Sequence, residues 1–242
     1  MQNMELIIAG NGAMARLLRE RCARENVASG DFIVYGHPTQ KKGGLEHFQD
    51  IREEIAIAVH FGSGRELPDL IGYCGGRGIP ILNGSTGQEL PEDCPVPLVH
   101  GPNLALPIVA LLGVLPKVAT ALWGLGLKET LIESHQASKR TVPETAKLMA
   151  AVIGLLDTEE IKSVRNRAES LALGVPESAL DGHGYHWIHW YGDDLEIEVS
   201  TKVRGRAPYI DGALFVAREM LRLKERLENR VYTLQEFLAM RT

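Results

Sequence analysis

Hydrophobic and polar positions fall into two kinds of block along the first hundred residues. A short apolar run, Glu5–Ala9, leads through a glycine turn into a segment from about Met14 to Glu25 with helical spacing, and a second run, Phe32–Tyr35, follows. Two more runs, Ile55–Phe61 and Ile79–Leu82, are separated by the helix-like Glu66–Cys74 and the turn Gly75-Gly76-Arg77-Gly78, and a further strand is expected at Pro97–His100. Short apolar runs alternating with helices predict a parallel, doubly wound sheet.

Past Asn103 the pattern changes. Leu104–Leu122 reads as a long apolar helix, Glu129–Glu133 as a strand entering a polar loop, and Thr145–Leu156 as a helix. Tyr185–Ile188 and Leu195–Val203 read as strands joined by the turn Gly192-Asp193-Asp194, and Asp211–Leu227 as an amphipathic helix returning to the first domain. The organisation expected is an α/β domain from 1–106 with 207–242, and an α+β domain from 107–206. Pro107, Pro116 and Lys117 interrupt the most apolar stretch, which argues against a membrane span, and the N-terminal apolar run is too short for a secretory signal.

Composition narrows the partners. A formal net charge of -5 leaves no broad basic surface for nucleic acid. Three widely spaced cysteines, Cys22, Cys74 and Cys94, fit neither a disulfide framework nor a metal motif, so a reduced, cytoplasmic setting is expected.

The chemistry begins at Gly10-Asn11-Gly12-Ala13-Met14-Ala15, a G-x-G-x-x-A turn between the first strand and the first helix. Gly10 permits the tight turn, Gly12 lets the backbone approach a pyrophosphate, and Ala15 lets helix and strand pack closely, the Rossmann arrangement for a dinucleotide. The acidic residue that would bind a ribose hydroxyl is missing from Tyr35-Gly36-His37-Pro38-Thr39-Gln40-Lys41-Lys42, so His37, Thr39, Lys41 and Lys42 lean toward a 2'-phosphate and NADPH over NADH. In the second domain, Glu133-Ser-His135-Gln-Ala-Ser-Lys139 pairs an imidazole with a lysine four residues on, a combination suited to proton transfer and to holding an anion.

The succession of these segments resembles the 4-hydroxy-tetrahydrodipicolinate reductase family over nearly the whole chain. The family's E-x-H-H-x-x-K-x-D-x-P-S-G-T-A loop is matched by Glu133-Ser-His135-Gln136-Ala-Ser-Lys139-Arg-Thr-Val-Pro143-Glu144-Thr145-Ala146. Phe61-Gly62-Ser63 resembles its D-F-T segment, Gly84-Ser85-Thr86-Gly87 its G-T-T-G turn, and Pro102-Asn103-Leu104-Ala105 its A-N-F-S strand end. Downstream, Ser200-Thr-Lys-Val-Arg-Gly-Arg206 followed by Asp211-Gly212-Ala213 resembles the run that enters the family's final helix.

The resemblance implies NAD(P)H-dependent reduction in the diaminopimelate–lysine pathway, by a homotetramer. His135 would be the acid/base or anion-stabilising group and Lys139 the proton donor. Gly10, Gly12, Ala13, Met14, His37, Phe61, Gly84, Ser85, Thr86, Pro102, Asn103 and Leu104 would hold the cofactor, and Thr86, Gln136, Lys139, Glu144 and Thr145 the substrate. The departures lie on the substrate side. Gln136 replaces the second histidine, the S-G-T turn shortens to Glu144-Thr145, and Glu144 adds negative charge that Arg140, Lys147 or Arg206 must offset for a dianion to bind. His60 stands where the family has aspartate. Two alternatives follow: reduction of another unsaturated or imine-bearing acid, or a silent dinucleotide sensor. His183, His186 and His189 recur at every third residue, but strand periodicity puts His186 and His189 on opposite faces, so no metal site is expected.

Overall fold

The computed structural model describes residues 6–25, 33–35, 56–155 and 157–241. Two compact units emerge, Met1–Leu104 with Tyr209–Thr242, and Ala105–Pro208. The first opens with strand β1 (Leu6–Ala9), helix α1 (Ala13–Glu25), strands β2 (Ile33–Tyr35) and β3 (Ile57–His60), helix α2 (Leu67–Gly75), and strands β4 (Ile81–Asn83) and β5 (Leu98–His100). β1, β3 and β4 are buried along their whole length, as parallel strands covered on both faces must be, which explains their unbroken apolar runs. Tyr73 and Cys74 of α2 pack with Ile7, Ile81 and Leu98 in the core beneath the sheet.

The second unit starts with helix α3 (Leu106–Gly124), strand β6 (Lys128–His135), helix α4 (Glu144–Val152), strand β7 (Ile161–Val164), helix α5 (Arg167–Ala172) and strands β8 (Gly184–Tyr191) and β9 (Glu196–Val203). The sheet order is β7-β6-β8-β9, with β7 parallel to β6 and the other pairs antiparallel. Val175, Ala179, Tyr185 and Trp187 form a core on one sheet face, while α4 packs against β6.

The long apolar helix expected over Leu104–Leu122 runs through both prolines. Pro107 sits in the first turn of α3, where its missing N–H costs nothing, and Pro116 lies on an exposed side of a helix that runs on past it. By length and composition α3 is the one helix among the described residues long and apolar enough to cross a bilayer. Ile108, Val109, Leu112, Leu115 and Ala119 are buried, whereas Val114, Val118 and Trp123 are exposed.

Helix α6 (Ala207–Arg222) belongs to the first unit from Tyr209 onward and buries Ile210, Ala213, Leu214, Ala217 and Met220 at helical spacing. It begins and ends earlier than the apolar spacing predicts. Strand β10 (Val231–Thr233) and helix α7 (Leu234–Ala239), neither expected, follow it. β10 pairs with β5 in parallel, giving a six-stranded sheet in the order β10-β5-β4-β3-β1-β2. Thr233 and Glu236 form a capping box that starts α7 directly off this strand.

Candidate active site

The order of the first sheet reverses between β1 and β3, and in a doubly wound sheet ligands bind at the strand carboxyl ends beside that reversal. The glycine turn stands there. Gly10 has φ 121°, and a Cβ on it would lie 2.6 Å from the Phe61 carbonyl oxygen, so the first glycine is required both by conformation and by the approach of the chain leaving β3. Gly12 and Asn11 are exposed, Ala13 and Met14 half-buried, and Ala15 fully buried. Helix α1 carries no acidic residue in its first turn, leaving its amino end open to an anion.

The other residues anticipated for the cofactor converge on the same sheet edge. The Phe61 ring packs over Gly84, where a Cβ would stand 2.2 Å from the ring, and Leu104 closes the opposite side at 3.1 Å. Ser85 donates from Oγ to the Gly62 carbonyl at 2.9 Å, while Thr86 and Pro102 are exposed and Asn103 is buried. His37, with Thr39, Lys41 and Lys42, lies outside the described residues.

Beneath this edge runs a polar chain through the core. Fully buried His60 donates from Nδ1 to Asn83 Oδ1 at 2.9 Å, and the same oxygen accepts the Ser85 amide at 3.1 Å. Asn83 Nδ2 donates to His100 Nδ1 at 3.2 Å. His60 Nε2 lies 3.3 Å from Glu66 Oε1, whose carboxylate also accepts the Ser63 amide and hydroxyl. Burial works against the Glu66 charge, yet the nearby His60 ring and the bonds from Ser63 outweigh it and hold the carboxyl at about 2. The carboxylate of this network is thus Glu66's, with His60 between it and Asn83.

In the second unit His135 ends β6 and Gln136 to Pro143 form the loop to α4. A turn from the Lys139 amide to the Gln136 carbonyl, 2.9 Å, shapes this loop, in which both side chains are half-buried. Period two puts Glu133 and His135 on one face of β6. Glu133 is completely buried, accepts His135 Nδ1 at 2.8 Å through Oε2, and is gripped by Arg165 through Nη1 at 2.9 Å and Nη2 at 2.6 Å. Burial opposes its ionisation, but the bonds from His135 and Arg165 prevail and leave the carboxyl at about 2. The guanidinium also donates from Nε to the Lys139 carbonyl at 2.8 Å, tying the loop down.

The histidines of β8 divide as the strand period requires. His189 pairs with Glu196 near the surface, and His186 is buried on the other face, with its ring centroid 5.4 Å from that of His135. Burial, with His135 close by, pushes the His186 imidazole down to about 3. His183, just before β8, donates from Nδ1 to the Leu180 carbonyl at 3.2 Å and accepts the Ser134 hydroxyl at Nε2, 2.8 Å. Its ring centroid lies 6.4 Å from that of His135. No group of His, Cys, Asp or Glu among the described residues is arranged to hold a metal ion. A cleft of about 440 Å³ opens beside Thr201, whose Oγ1 lies 3.0 Å from His186 Nδ1, and is lined further by Ile108, Val203 and Arg204.

Glu144 opens α4 with 53% of its side chain exposed, and Lys147 answers its charge from 3.4 Å. Of the three cations considered for that role, Lys147 makes the contact. Thr145 follows half-buried. Sequence reasoning missed Arg165 and did not bring His183 and His186 to His135. Strand register brings Arg165 in: Ser134 stands opposite Val164 in the parallel β6–β7 pair, so the next residue falls beside His135.

No family model matches the chain. It is similar to a probable 4-hydroxy-tetrahydrodipicolinate reductase 1, chloroplastic, of Oryza sativa subsp. japonica, 33% identical over 61% of this chain and 48% of the relative. A 4-hydroxy-tetrahydrodipicolinate reductase 1, chloroplastic, of Arabidopsis thaliana is 27% identical over 88% of this chain and 67% of its own length. The Rubrobacter xylanophilus 4-hydroxy-tetrahydrodipicolinate reductase is 28% identical over 86% and 90%. The chain therefore spans about half to two thirds of the plant relatives and most of the bacterial one. Among solved structures, a dipicolinate-bound dihydrodipicolinate reductase from Paenisporosarcina sp. TG-14 superposes with TM-score 0.60 over 95% of this chain and 97% of that one, at 13% identity, which shows a shared fold.

Proposed function

We propose that this chain, a divergent relative of the 4-hydroxy-tetrahydrodipicolinate reductases, reduces the 4-hydroxy-tetrahydrodipicolinate/dihydrodipicolinate substrate of the diaminopimelate–lysine pathway with NADPH or NADH. The observation that carries the reading is the His135 imidazole, held at Nδ1 by a buried carboxylate, in a chain whose Gly10–Gly12 turn stands at the switch point of a parallel sheet. The turn suits a dinucleotide: Gly12 has no atom closer than 3.9 Å to a Cβ position, and the first turn of α1 has no carboxylate to repel phosphate. A bound reduced nicotinamide supplies the hydride.

In this reading Gly10, Gly12, Ala13 and Met14 hold the pyrophosphate side of the cofactor and Phe61, Gly84, Ser85, Thr86, Pro102, Asn103 and Leu104 its nicotinamide side, with His37 toward the adenosine. Thr86, Gln136, Lys139 and Thr145 receive the substrate acid, with Glu144 screened by Lys147. Lys139 gives a proton to the atom left electron-rich by the hydride, and His135 stabilises the negative charge that builds beside it. The three cysteines, free and buried, accord with a cytoplasmic setting, and exposed Val114, Val118 and Trp123 on α3 accord with self-association into the tetramer implied by resemblance.

The test is loss of NADPH or NADH absorbance by the purified protein while dihydrodipicolinate synthase generates the substrate. Steady turnover, abolished in Lys139→Ala with cofactor affinity retained, is expected. Tight cofactor binding without turnover refutes the assigned substrate and leaves another imine-bearing acid or a sensor.

A further inference from the structure

Glu133 has two carboxylate oxygens and no solvent. Oε1 is taken by Arg165 Nη2 at 2.6 Å, and Oε2 by Arg165 Nη1 at 2.9 Å and His135 Nδ1 at 2.8 Å. A planar guanidinium gripping both oxygens keeps the group ionised, so the carboxylate only accepts and the hydrogen of the His135 contact must sit on Nδ1. In the neutral ring the lone pair then lies on Nε2. That nitrogen has no hydrogen-bond partner among the described residues, and it stands 2.8 Å from where a Cβ would be on Gly184, the residue opposite His135 in the β6–β8 pair. The absence of a side chain at 184 is what gives the ring its room.

The same guanidinium reaches the other half of the motif. Nε donates to the Lys139 carbonyl at 2.8 Å, and Nη2 also lies 3.4 Å from the Thr141 carbonyl. One planar cation with five N–H donors therefore spans a buried carboxylate and the loop backbone. Lysine at this position offers one nitrogen and cannot do both.

We propose that Arg165 is a positioning residue, which through Glu133 fixes the ring tautomer of His135 and through the Lys139 carbonyl fixes the backbone from which that lysine projects. The consequence for turnover rests on the reductase reading above; the tautomer does not. In Glu133→Leu the acceptor is gone, nothing holds the ring hydrogen on Nδ1, and the neutral ring shifts to the Nε2–H form that an unconstrained histidine side chain favours.

The experiment is 15N–1H correlation of the imidazole nitrogens in protein labelled at histidine, at alkaline pH where the rings are neutral, with His135 assigned by its loss in His135→Gln. The wild type is expected to carry hydrogen on Nδ1 and Glu133→Leu mainly on Nε2. For substrate turnover, kcat in Glu133→Leu should fall roughly 100-fold with cofactor Kd unchanged. Arg165→Lys should keep the Nδ1–H tautomer yet lose about 10-fold in kcat through the freed loop. A wild-type His135 protonated on Nε2 overturns the inference, and so does a ring still held as Nδ1–H in folded Glu133→Leu. The wild-type spectrum decides the matter even where a variant does not fold. A wild type silent in the reductase assay but with Nδ1–H His135 upholds the positioning role and sinks the substrate assignment instead.

Discussion

Replacing Arg165 by methionine strands a carboxylate in the protein interior, and the cost can be worked from the contacts. The change removes both bonds to Glu133, at 2.6 and 2.9 Å, together with the bonds to the Val164 and Lys139 carbonyls. Breaking a buried ion pair from one side costs roughly 3–5 kcal/mol, because the remaining charge stays desolvated. Arg165 is itself 22% exposed, so water partly replaces it and the lower end, about 3 kcal/mol, is expected. Against a total stability of roughly 5–15 kcal/mol the fold survives. Urea unfolding should show the midpoint falling by about 1 M or more.

The pH dependence gives a sharper check. In the wild type the Glu133 carboxyl is held at about 2, below its ordinary 4.5, by the bonds from His135 and Arg165 against the cost of burial. A depressed carboxylate contributes stability that is full above 4.5 and disappears as pH falls toward 2. The variant lacks most of that contribution, and its stranded Glu133 takes up a proton readily. The gap between wild type and variant should therefore be widest near about pH 7 and narrower near about pH 4. A loss below about 1 kcal/mol at neutral pH, or the same loss at both, would refute this account of Glu133.

Two further outcomes follow from other sites. His186, pushed down to about 3 by burial, is neutral in the fold, while the unfolded chain takes up a proton below its ordinary 6.5. Its share of stability is full above 6.5 and is lost as pH falls toward 3, with His183 and His100 shifted in the same direction by burial. Urea midpoints should fall between about pH 6.5 and 4 in the wild type and less steeply in His186→Phe; equal slopes would remove His186 from the acid response. Gly10→Ala puts a side chain at φ 121° and 2.6 Å from the Phe61 carbonyl oxygen. It should cost about 1–3 kcal/mol and weaken NADPH binding at least about 10-fold by fluorescence titration, whereas unchanged affinity would detach the turn from the cofactor.

What could be read in advance was local. The apolar runs of β1, β3, β4 and β5 are bounded by glycine and proline, and the Gly10–Ala15 spacing names its own geometry, so sheet and turn both lay open in the sequence. β7 was hidden because Ile161-Lys-Ser-Val164 buries only its ends, which mimics neither a period of two nor a continuous run. β10 has three residues and draws its strand character from β5. The helix over Leu104–Leu122 was legible in spite of Pro116, because a proline with its ring toward solvent can be carried within a helix whose other side is packed. Arg165 gave no local signal, since its value lies in a carboxylate 32 residues away. The loop bearing His135 and Lys139 was found by its motif, but the buried histidines that surround the imidazole come together only through β-sheet register.

The pairing of β10 with β5 also sets an order of events during synthesis. Ala105–Pro208 is one continuous stretch and has all its strands as soon as it leaves the ribosome, whereas the sheet of the first unit must wait for Val231–Thr233. Until then the outer edge of β5 presents unpaired amides and carbonyls to whatever the nascent chain meets, the kind of open border that recruits wrong partners. Val231–Thr233, the last strand among the described residues, thus covers an edge of β5 that stands open while the rest of the sheet already exists.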